Sequence, residues 1–124
     1  MSTQILKRMP VVELVDRFTD ITLRQYQAAL FGKVAKYNSL VGQMLAITAE
    51  LKSRPGDQRS ALVPLLVHPN RQVRLMAAQF TLALAPVASR QTLQELSDAK
   101  VDPQSAYAMG TLRALERGDA SRRS

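Results

Sequence analysis

The spacing of the apolar residues constrains the fold of this chain more than any other feature of the sequence. From residue 11 onward they recur every three or four positions, which places them on one face of a helix. The first such run comprises Val11, Leu14, Val15, Phe18, Ile21, Tyr26 and Leu30. No segment shows sustained alternation of apolar and polar residues between hairpin turns, so strands are not expected. The sequence predicts an all-α fold of about six helices.

Capping and turn residues divide this pattern into separate helices. The first predicted helix spans about 11–31, and the second ends before Pro55-Gly56, a strong turn signal. A short third helix contains Pro64, which should bend or shorten it. The last three helices are placed at about 71–85, 87–99 and 103–117, from caps at Asn70 and Asp102 and the stops at Pro86 and Gly118. The six aromatic residues mostly fall on the core stripes of these helices, which leaves few for base stacking.

The second half of the chain is similar to itself at a fixed offset. Two capping residues, Asn70 and Asp102, lie 32 positions apart, and the same offset places Phe80 over Leu112. A period of this length is typical of proteins built from repeated helix pairs. Two repeats bury too little surface alone, so we expect the helical hairpin of residues 11–54 to act as an N-terminal cap. These features predict one compact helical domain over residues 1–118, followed by a disordered basic tail, residues 119–124.

A motif in the middle of the chain makes the repeat type more specific. Pro64 is followed by Leu65-Leu66, a Pro69-Asn70 turn, Val73-Arg74 and Ala77-Ala78. This pattern resembles a HEAT repeat, which implies a HEAT-like α-α superhelix. An aspartate usually stands where this chain has His68, and that departure puts the family's Asp–Arg ladder in doubt.

A wider resemblance covers about residues 11–118. It is carried by Leu14-Val15, Arg17-Phe18, Lys36-Tyr37-Asn38, the HEAT-like centre and Met109-Gly110-Thr111-Leu112. Together these segments resemble the small bacterial proteins of domain-of-unknown-function family two-thousand-nineteen. The resemblance implies an architecture more than an activity.

Several classes of chemistry lack their residues in this sequence. There is no cysteine, which removes disulfides, zinc ribbons, iron–sulfur clusters and thiol nucleophiles. A Ser-His-Asp arrangement would depend on His68, the single histidine, which lies in a turn beside proline. Glu13, Asp16 and Asp20 each have an arginine within one helical turn, so we expect a solvated ion-pair face rather than a metal site. The sequence predicts no enzyme, no cofactor and no metal.

The hydropathy pattern argues against a membrane protein. The longest uncharged stretch, residues 75–89, contains Gln79 and Pro86 and is shorter than the roughly 18–20 apolar residues that a membrane crossing requires. The N-terminal segment lacks the apolar core of a signal peptide. We therefore expect a cytoplasmic protein with no membrane partner.

The charge balance suggests where a partner would bind. Seventeen basic and ten acidic side chains give a net charge of +7, which favours acidic partners. Arg71 and Arg74 begin the fourth predicted helix, and Lys33 and Lys36 begin the second, where the helix dipole ordinarily favours acids. Either pair could help to hold an anion at the helix start. Alternatively, Arg74 bonds back to the neighbouring loop and Arg71 is simply exposed.

Three functional hypotheses follow, with an enzyme as the least favoured class. The first is a non-enzymatic HEAT-like module that binds a protein partner through the surface of the fourth and sixth predicted helices. The second is binding of a nucleic-acid backbone through Arg71, Arg74, Lys33 and Lys36. The third, suggested by the resemblance to small stand-alone bacterial proteins, is an immunity or antitoxin-like partner of a toxin.

Overall fold

A computed structural model describes residues 3–118, and this part of the chain contains only helices and turns. The α-helices are α1 (Thr3–Lys7), α2 (Val11–Leu30), α3 (Val34–Ser53), α4 (Arg71–Thr81), α5 (Pro86–Ala99) and α6 (Gln104–Glu116). A 3-10 helix, Gln58–Val67, lies between α3 and α4. The all-α prediction is confirmed. The predicted basic tail, residues 119–124, lies outside the described residues.

The chain divides into two compact units, with the boundary between Ala61 and Leu62. The assignment of residues 1–118 to one domain stays a prediction.

The first unit is built on the packing of α2 against α3. The two helices are joined by a short turn at Gly32, whose φ of +65° is in the left-handed region that glycine adopts without strain. Their buried apolar residues are Leu14, Phe18, Ile21, Ala28, Leu40, Met44, Ile47 and Leu51. Leu30, expected to face inward, and Val34 flank the turn and are exposed. Gln25 is buried in place of Tyr26, and its Nε2 donates to the Sδ of Met44 at 3.5 Å.

An additional helix, α1, precedes the predicted elements and is fastened to α3. Leu6 and Met9 are buried. The Arg54 guanidinium donates from Nη2 to the Leu6 carbonyl at 3.0 Å, and its Nε lies 2.9 Å from Oε2 of Glu50. Periodicity did not predict this helix, because five residues are too few to establish a helical stripe.

A tight turn connects α3 to the 3-10 helix. The Asp57 N–H donates to the Arg54 carbonyl at 3.0 Å, and Gly56 has a φ of +78°. Proline followed by glycine at these positions is the combination that a type II turn requires. The segment expected to form a short α-helix is instead a 3-10 helix that contains Pro64.

The second unit is built from α4, α5 and α6, which all pack against one another. Asn70 caps α4 as predicted, because its side chain accepts from the N–H groups of Gln72 and Val73. The prediction that α4 continues to about residue 85 was wrong. The Thr81 carbonyl accepts from the N–H groups of Leu84 and Ala85, which closes a turn and leaves Leu84 exposed rather than inward.

The last helix begins one residue later than expected. Asp102 Oδ1 accepts from the Ala106 N–H at 3.2 Å, and the first residue of α6 is Gln104. The Asp102–Pro103 peptide bond is cis. Asp102 therefore does hold the start of this helix, as its position before proline indicated.

Candidate functional site

Two hydrogen bonds show how α4 and α6 are aligned. Gln104 Nε2 donates to Gln72 Oε1 at 3.0 Å. About two helical turns further along both helices, Gln79 Nε2 donates to Thr111 Oγ1. Both pairs join positions 32 apart, which is the offset found in the sequence. The two helices therefore run in the same direction, with equivalent residues facing each other.

Of the two aligned helices, only α6 has residues that are exposed to solvent. Every residue of α4 is buried or half-buried, so the surface expected from α4 and α6 together reduces to the outer face of α6. A concavity of about 480 Å³ lies on this face. We call it the α6 concavity; it is lined by Lys100, Asp102, Ser105, Ala106, Met109, Gly110 and Arg113.

Two details of the α6 concavity differ from the expected helix pattern. Met109 is an apolar residue, but it is exposed. It occupies the position equivalent to buried Ala77, but α6 is contacted by α4 and α5 on its other face. Gly110 is helical, and a Cβ built there meets no atom within 4 Å, so the backbone at this position is open to an approaching group.

The arginine pair at the start of α4 serves in part to hold the preceding turn. Arg74 Nη1 donates to the His68 carbonyl at 3.2 Å, and Arg71 is half-buried. The N–H groups of Gln72 and Val73 are already bonded to the Asn70 side chain. An anion at this helix start would therefore have to displace the Asn70 cap. The bond from Arg74 to the preceding turn is the alternative that the sequence left open.

His68 takes part in the same turn. Its Nδ1 accepts a hydrogen bond from the Asn70 N–H at 3.0 Å. The contact fixes the approach of the chain to α4. Within residues 3–118, no three His, Asp or Glu side chains are grouped closely enough to hold a metal ion.

Lys33 and Lys36 lie together in the first unit. They line a second concavity, of about 180 Å³, with Arg24, Gln27, Ala28 and Phe31. We call it the α2–α3 concavity. Arg24 is also paired with Asp20 at 3.1 Å on the solvent side of α2. The two predicted basic pairs thus lie on different units, Lys33 with Lys36 in the first and Arg71 with Arg74 in the second.

The expectation that the aromatic residues mostly serve the core was wrong for two of them. Phe31 is 73% exposed at the end of α2, and Tyr107 is 57% exposed on α6. Phe31 follows the last residue of α2 and precedes Gly32, where the change of chain direction carries its ring away from the hairpin interior. Neither position is covered by another helix of its own unit.

One ionic contact changes the titration of its members. Arg59 donates from Nε to Asp57 Oδ1 at 2.8 Å and from Nη2 to Oδ2 at 2.6 Å. The side-chain hydrogen bond from Arg59 lowers the pKa of Asp57 below its ordinary value of 3.8, although burial opposes this shift. The same bond raises the pKa of Arg59. The pair lies beside the turn at Gly56 and has a structural role there.

The length and hydropathy of the helices bear on whether any of them could span a membrane. Among the helices of residues 3–118, none is long and apolar enough to cross a membrane.

Comparison with known proteins establishes the family. The model of the family described as Domain of unknown function (DUF2019) matches residues 12–116. The chain belongs to the DUF2019 family. The DUF2019 resemblance drawn from the sequence motifs is therefore confirmed.

A solved structure supports the fold of this DUF2019 protein. It is the crystal structure of the protein RPA1889 from Rhodopseudomonas palustris CGA009, at 42% sequence identity and a TM-score of 0.89. The match covers 91% of this chain and 93% of that chain. No curated protein matches the DUF2019 chain.

Sequence reasoning missed several residues of both concavities. Arg24 was assigned only to an ion pair, and Gln27 and Gly110 were not assigned to a site. The signal for Gly110 was present, because a glycine inside a helical pattern often has a packing or functional reason.

Proposed function

We propose that this DUF2019 protein is a non-enzymatic, HEAT-like interaction module of the cytoplasm that binds a protein partner through the α6 concavity. The observation that carries the proposal is the alignment of α4 with α6. In a helical repeat protein, each unit contacts its neighbours, and side chains at equivalent positions form continuous surfaces.

The two glutamine contacts support the HEAT-like part of the proposal. Gln72 with Gln104, and Gln79 with Thr111, join equivalent positions of two successive helix pairs. Bonds of this kind are consistent with a second pair whose α6 repeats the position of α4 at an offset of 32 residues. They are the contacts expected between neighbouring repeats in a stacked array.

The outer face of α6, which no other helix of residues 3–118 covers, supports the choice of surface. In a longer repeat protein, the face opposite the contact with α4 would be covered by a further helix pair. Along α6, Ala106 and Gly110 are one turn apart and both small, which lets another backbone approach closely. Met109 supplies an exposed apolar contact beside them. A helix from a partner can therefore occupy the place of the next repeat.

The charges indicate the chemistry of that partner. Lys100 and Arg113 line the concavity against one carboxylate, Asp102. The whole chain carries a net charge of +7. Complementary charge steers association and disfavours wrong partners. The proposed partner therefore presents a helix with an acidic flank and an apolar centre.

A glycine substitution tests the proposal without disturbing the fold. Gly110→Glu places a long, negatively charged side chain in the concavity. Gly42→Glu is the matched control, because Gly42 is also helical and exposed and a Cβ there likewise meets nothing within 4 Å. Both changes replace a glycine inside a helix and should each stabilise that helix by roughly 0.5–1 kcal/mol.

The measurement is affinity capture from the native cell with the wild-type chain and each variant, with and without nuclease. We expect one acidic protein to be captured by the wild type and by Gly42→Glu, and to be lost from Gly110→Glu. Purified partner should then bind the wild type directly. Equal recovery by the two glycine variants would reject the α6 concavity as the docking surface.

The capture also separates the other two hypotheses. Nucleic-acid binding through Arg71, Arg74, Lys33 and Lys36 predicts that recovery depends on nuclease, and that Arg71→Ala with Arg74→Ala abolishes it. The antitoxin-like role predicts that the captured protein is a toxin encoded beside this chain. Nuclease-resistant capture that is insensitive to the arginine variants favours the protein-binding module.

A further inference from the structure

We propose that the α2–α3 concavity binds the phosphodiester backbone of single-stranded nucleic acid. The site is independent of the α6 concavity, because it consists only of first-unit residues. Its lining combines three cations, an amide and an exposed aromatic ring.

Three positively charged side chains line the α2–α3 concavity. Arg24 comes from α2, Lys33 directly precedes α3 and Lys36 lies in its first turn, and all three line one concavity. The nearby acid is Asp20, which pairs with Arg24 while both side chains remain about 60% exposed. Such an exposed ion pair contributes little to stability, so Arg24 can readily leave Asp20 for another anion. A phosphate can therefore compete for Arg24.

The start of α3 adds a second attraction for an anion. No side chain caps this helix, whereas Asn70 provides two bonds at the start of α4. The first N–H groups of a helix lack partners within the helix, and its dipole is positive at this end. In α3 the Val34 N–H donates to the Gly32 carbonyl at 3.1 Å, so an anion would be attracted by the N–H groups that follow it. Two lysines at such a position are unfavourable for the isolated chain. A bound phosphate would relieve that repulsion.

Phe31 distinguishes a nucleic acid from a free anion. Its ring lines the concavity and is 73% exposed. Stacking of a base on an exposed aromatic side chain is worth roughly 1–3 kcal/mol and tolerates any sequence. Bases in a duplex are stacked on one another and are not available to such a ring. The ring therefore favours a single strand.

The size of the concavity agrees with a polymer that passes across it. Its volume of about 180 Å³ is below the roughly 300–1,000 Å³ of pockets that enclose small molecules. One phosphate group fits, while the adjoining sugars and bases lie outside. Gln27 can donate to the same phosphate or to a neighbouring base edge.

Fluorescence anisotropy of a labelled single-stranded DNA of twelve thymidine nucleotides, titrated with the full chain, tests the proposal. One phosphate held in the concavity predicts a slope of about −0.7 in log affinity against log salt, or a loss of roughly threefold between 50 and 200 mM salt. Lys33→Gln with Lys36→Gln should weaken binding at least tenfold. Phe31→Ala should weaken it several-fold with the salt slope unchanged.

The matched control is Lys52→Gln with Arg90→Gln. These residues are also exposed and helical, lie outside both concavities and remove the same two charges. The control should change binding less than twofold. Circular dichroism of each variant verifies that its helices are intact.

Three results would overturn the proposal. One is the absence of binding by the wild type at 50 mM salt. Another is an equal loss in both double variants, which would make the attraction a property of net charge alone. The third is an unchanged affinity in Phe31→Ala together with full competition by inorganic phosphate or by duplex, which would assign the concavity to another anion. Failure of this site would leave the protein-binding proposal for α6 untouched.

Discussion

Gln72 and Gln104 form a hydrogen bond between two side chains that are almost completely removed from solvent. Their relative exposures are 2% and 1%, and Gln104 Nε2 donates to Gln72 Oε1 at 3.0 Å. The two residues occupy equivalent positions 32 apart in successive helix pairs. Buried amides are costly unless bonded, so this contact favours one alignment of α4 with α6 over a shifted one.

A double-mutant cycle on this pair should give a strong coupling. Gln72→Met or Gln104→Met alone leaves a buried polar group without its partner and should destabilise the fold by about 1–3 kcal/mol. The double substitution removes both polar groups. It should lower the free energy of unfolding by clearly less than the sum of the two single substitutions. Urea unfolding of the four proteins measures this difference. Additive single effects would show that the bond does not contribute to the alignment.

The cap of α4 should be worth about 1 kcal/mol. Asn70→Ala removes the acceptor of two N–H groups, and losses of such caps range over about 0.5–2 kcal/mol. Asn70→Asp keeps the acceptor and adds a negative charge at the positive end of the helix dipole, so it should be at least as stable as the wild type. Thermal unfolding of both variants tests the assignment; similar losses in both would contradict it.

Lys100 ends α5 in a left-handed conformation, with a φ of 54°. A side chain in this region costs about 1–2 kcal/mol, and glycine avoids that cost but loses more entropy on folding. Lys100→Gly should therefore stabilise the chain by about 0.5–1 kcal/mol. Lys100→Ala is the control, because it removes the same charge and keeps the strain. If alanine stabilises as much as glycine, charge rather than backbone strain is responsible.

The contact between Asp57 and Arg59 should make stability depend on pH in the acid range. Because the folded-state pKa of Asp57 lies below its ordinary 3.8, the stabilisation is complete above that value. It is lost as the pH falls through the lower, folded-state pKa. Asp57→Asn replaces the carboxylate with an uncharged amide, and asparagine also tolerates the left-handed backbone at this position, where φ is 49°.

Chemical unfolding of the wild type and Asp57→Asn from pH 7 to pH 2 measures this dependence. The wild type should be the more stable protein at pH 7, and the difference should shrink below about pH 4 as the carboxyl becomes protonated. A difference that is constant across this range would show that the charge of Asp57 does not act through Arg59.

The sequence was sufficient for features that are encoded locally. The apolar spacing placed α2 and α3, Asn70 marked the start of α4, and the predicted start of α5 at about residue 87 was within one residue of Pro86. The offset of 32 positions also anticipated which residues of α4 and α6 are equivalent. These predictions succeeded because a helical stripe and a cap depend on residues within one or two turns of each other.

Features that depend on distant contacts could not be read in this way. The position of α1 depends on Arg54 reaching back to the Leu6 carbonyl, which no spacing reveals. The spacing of Arg71 and Arg74 was equally consistent with an anion site and with the bond that Arg74 makes to the His68 carbonyl. The sequence places Phe31 among the aromatic residues of the core stripes. The chain turns at Gly32, however, and the Phe31 ring is exposed to solvent.

Hydrogen–deuterium exchange of the nuclease-treated complex with the captured partner tests the central claim that α6 is the docking surface. The account predicts slower exchange along Gln104–Glu116 on binding, with the helices of the first unit unchanged. Slower exchange confined to α2 and α3, with α6 exchanging as in the free protein, would contradict it.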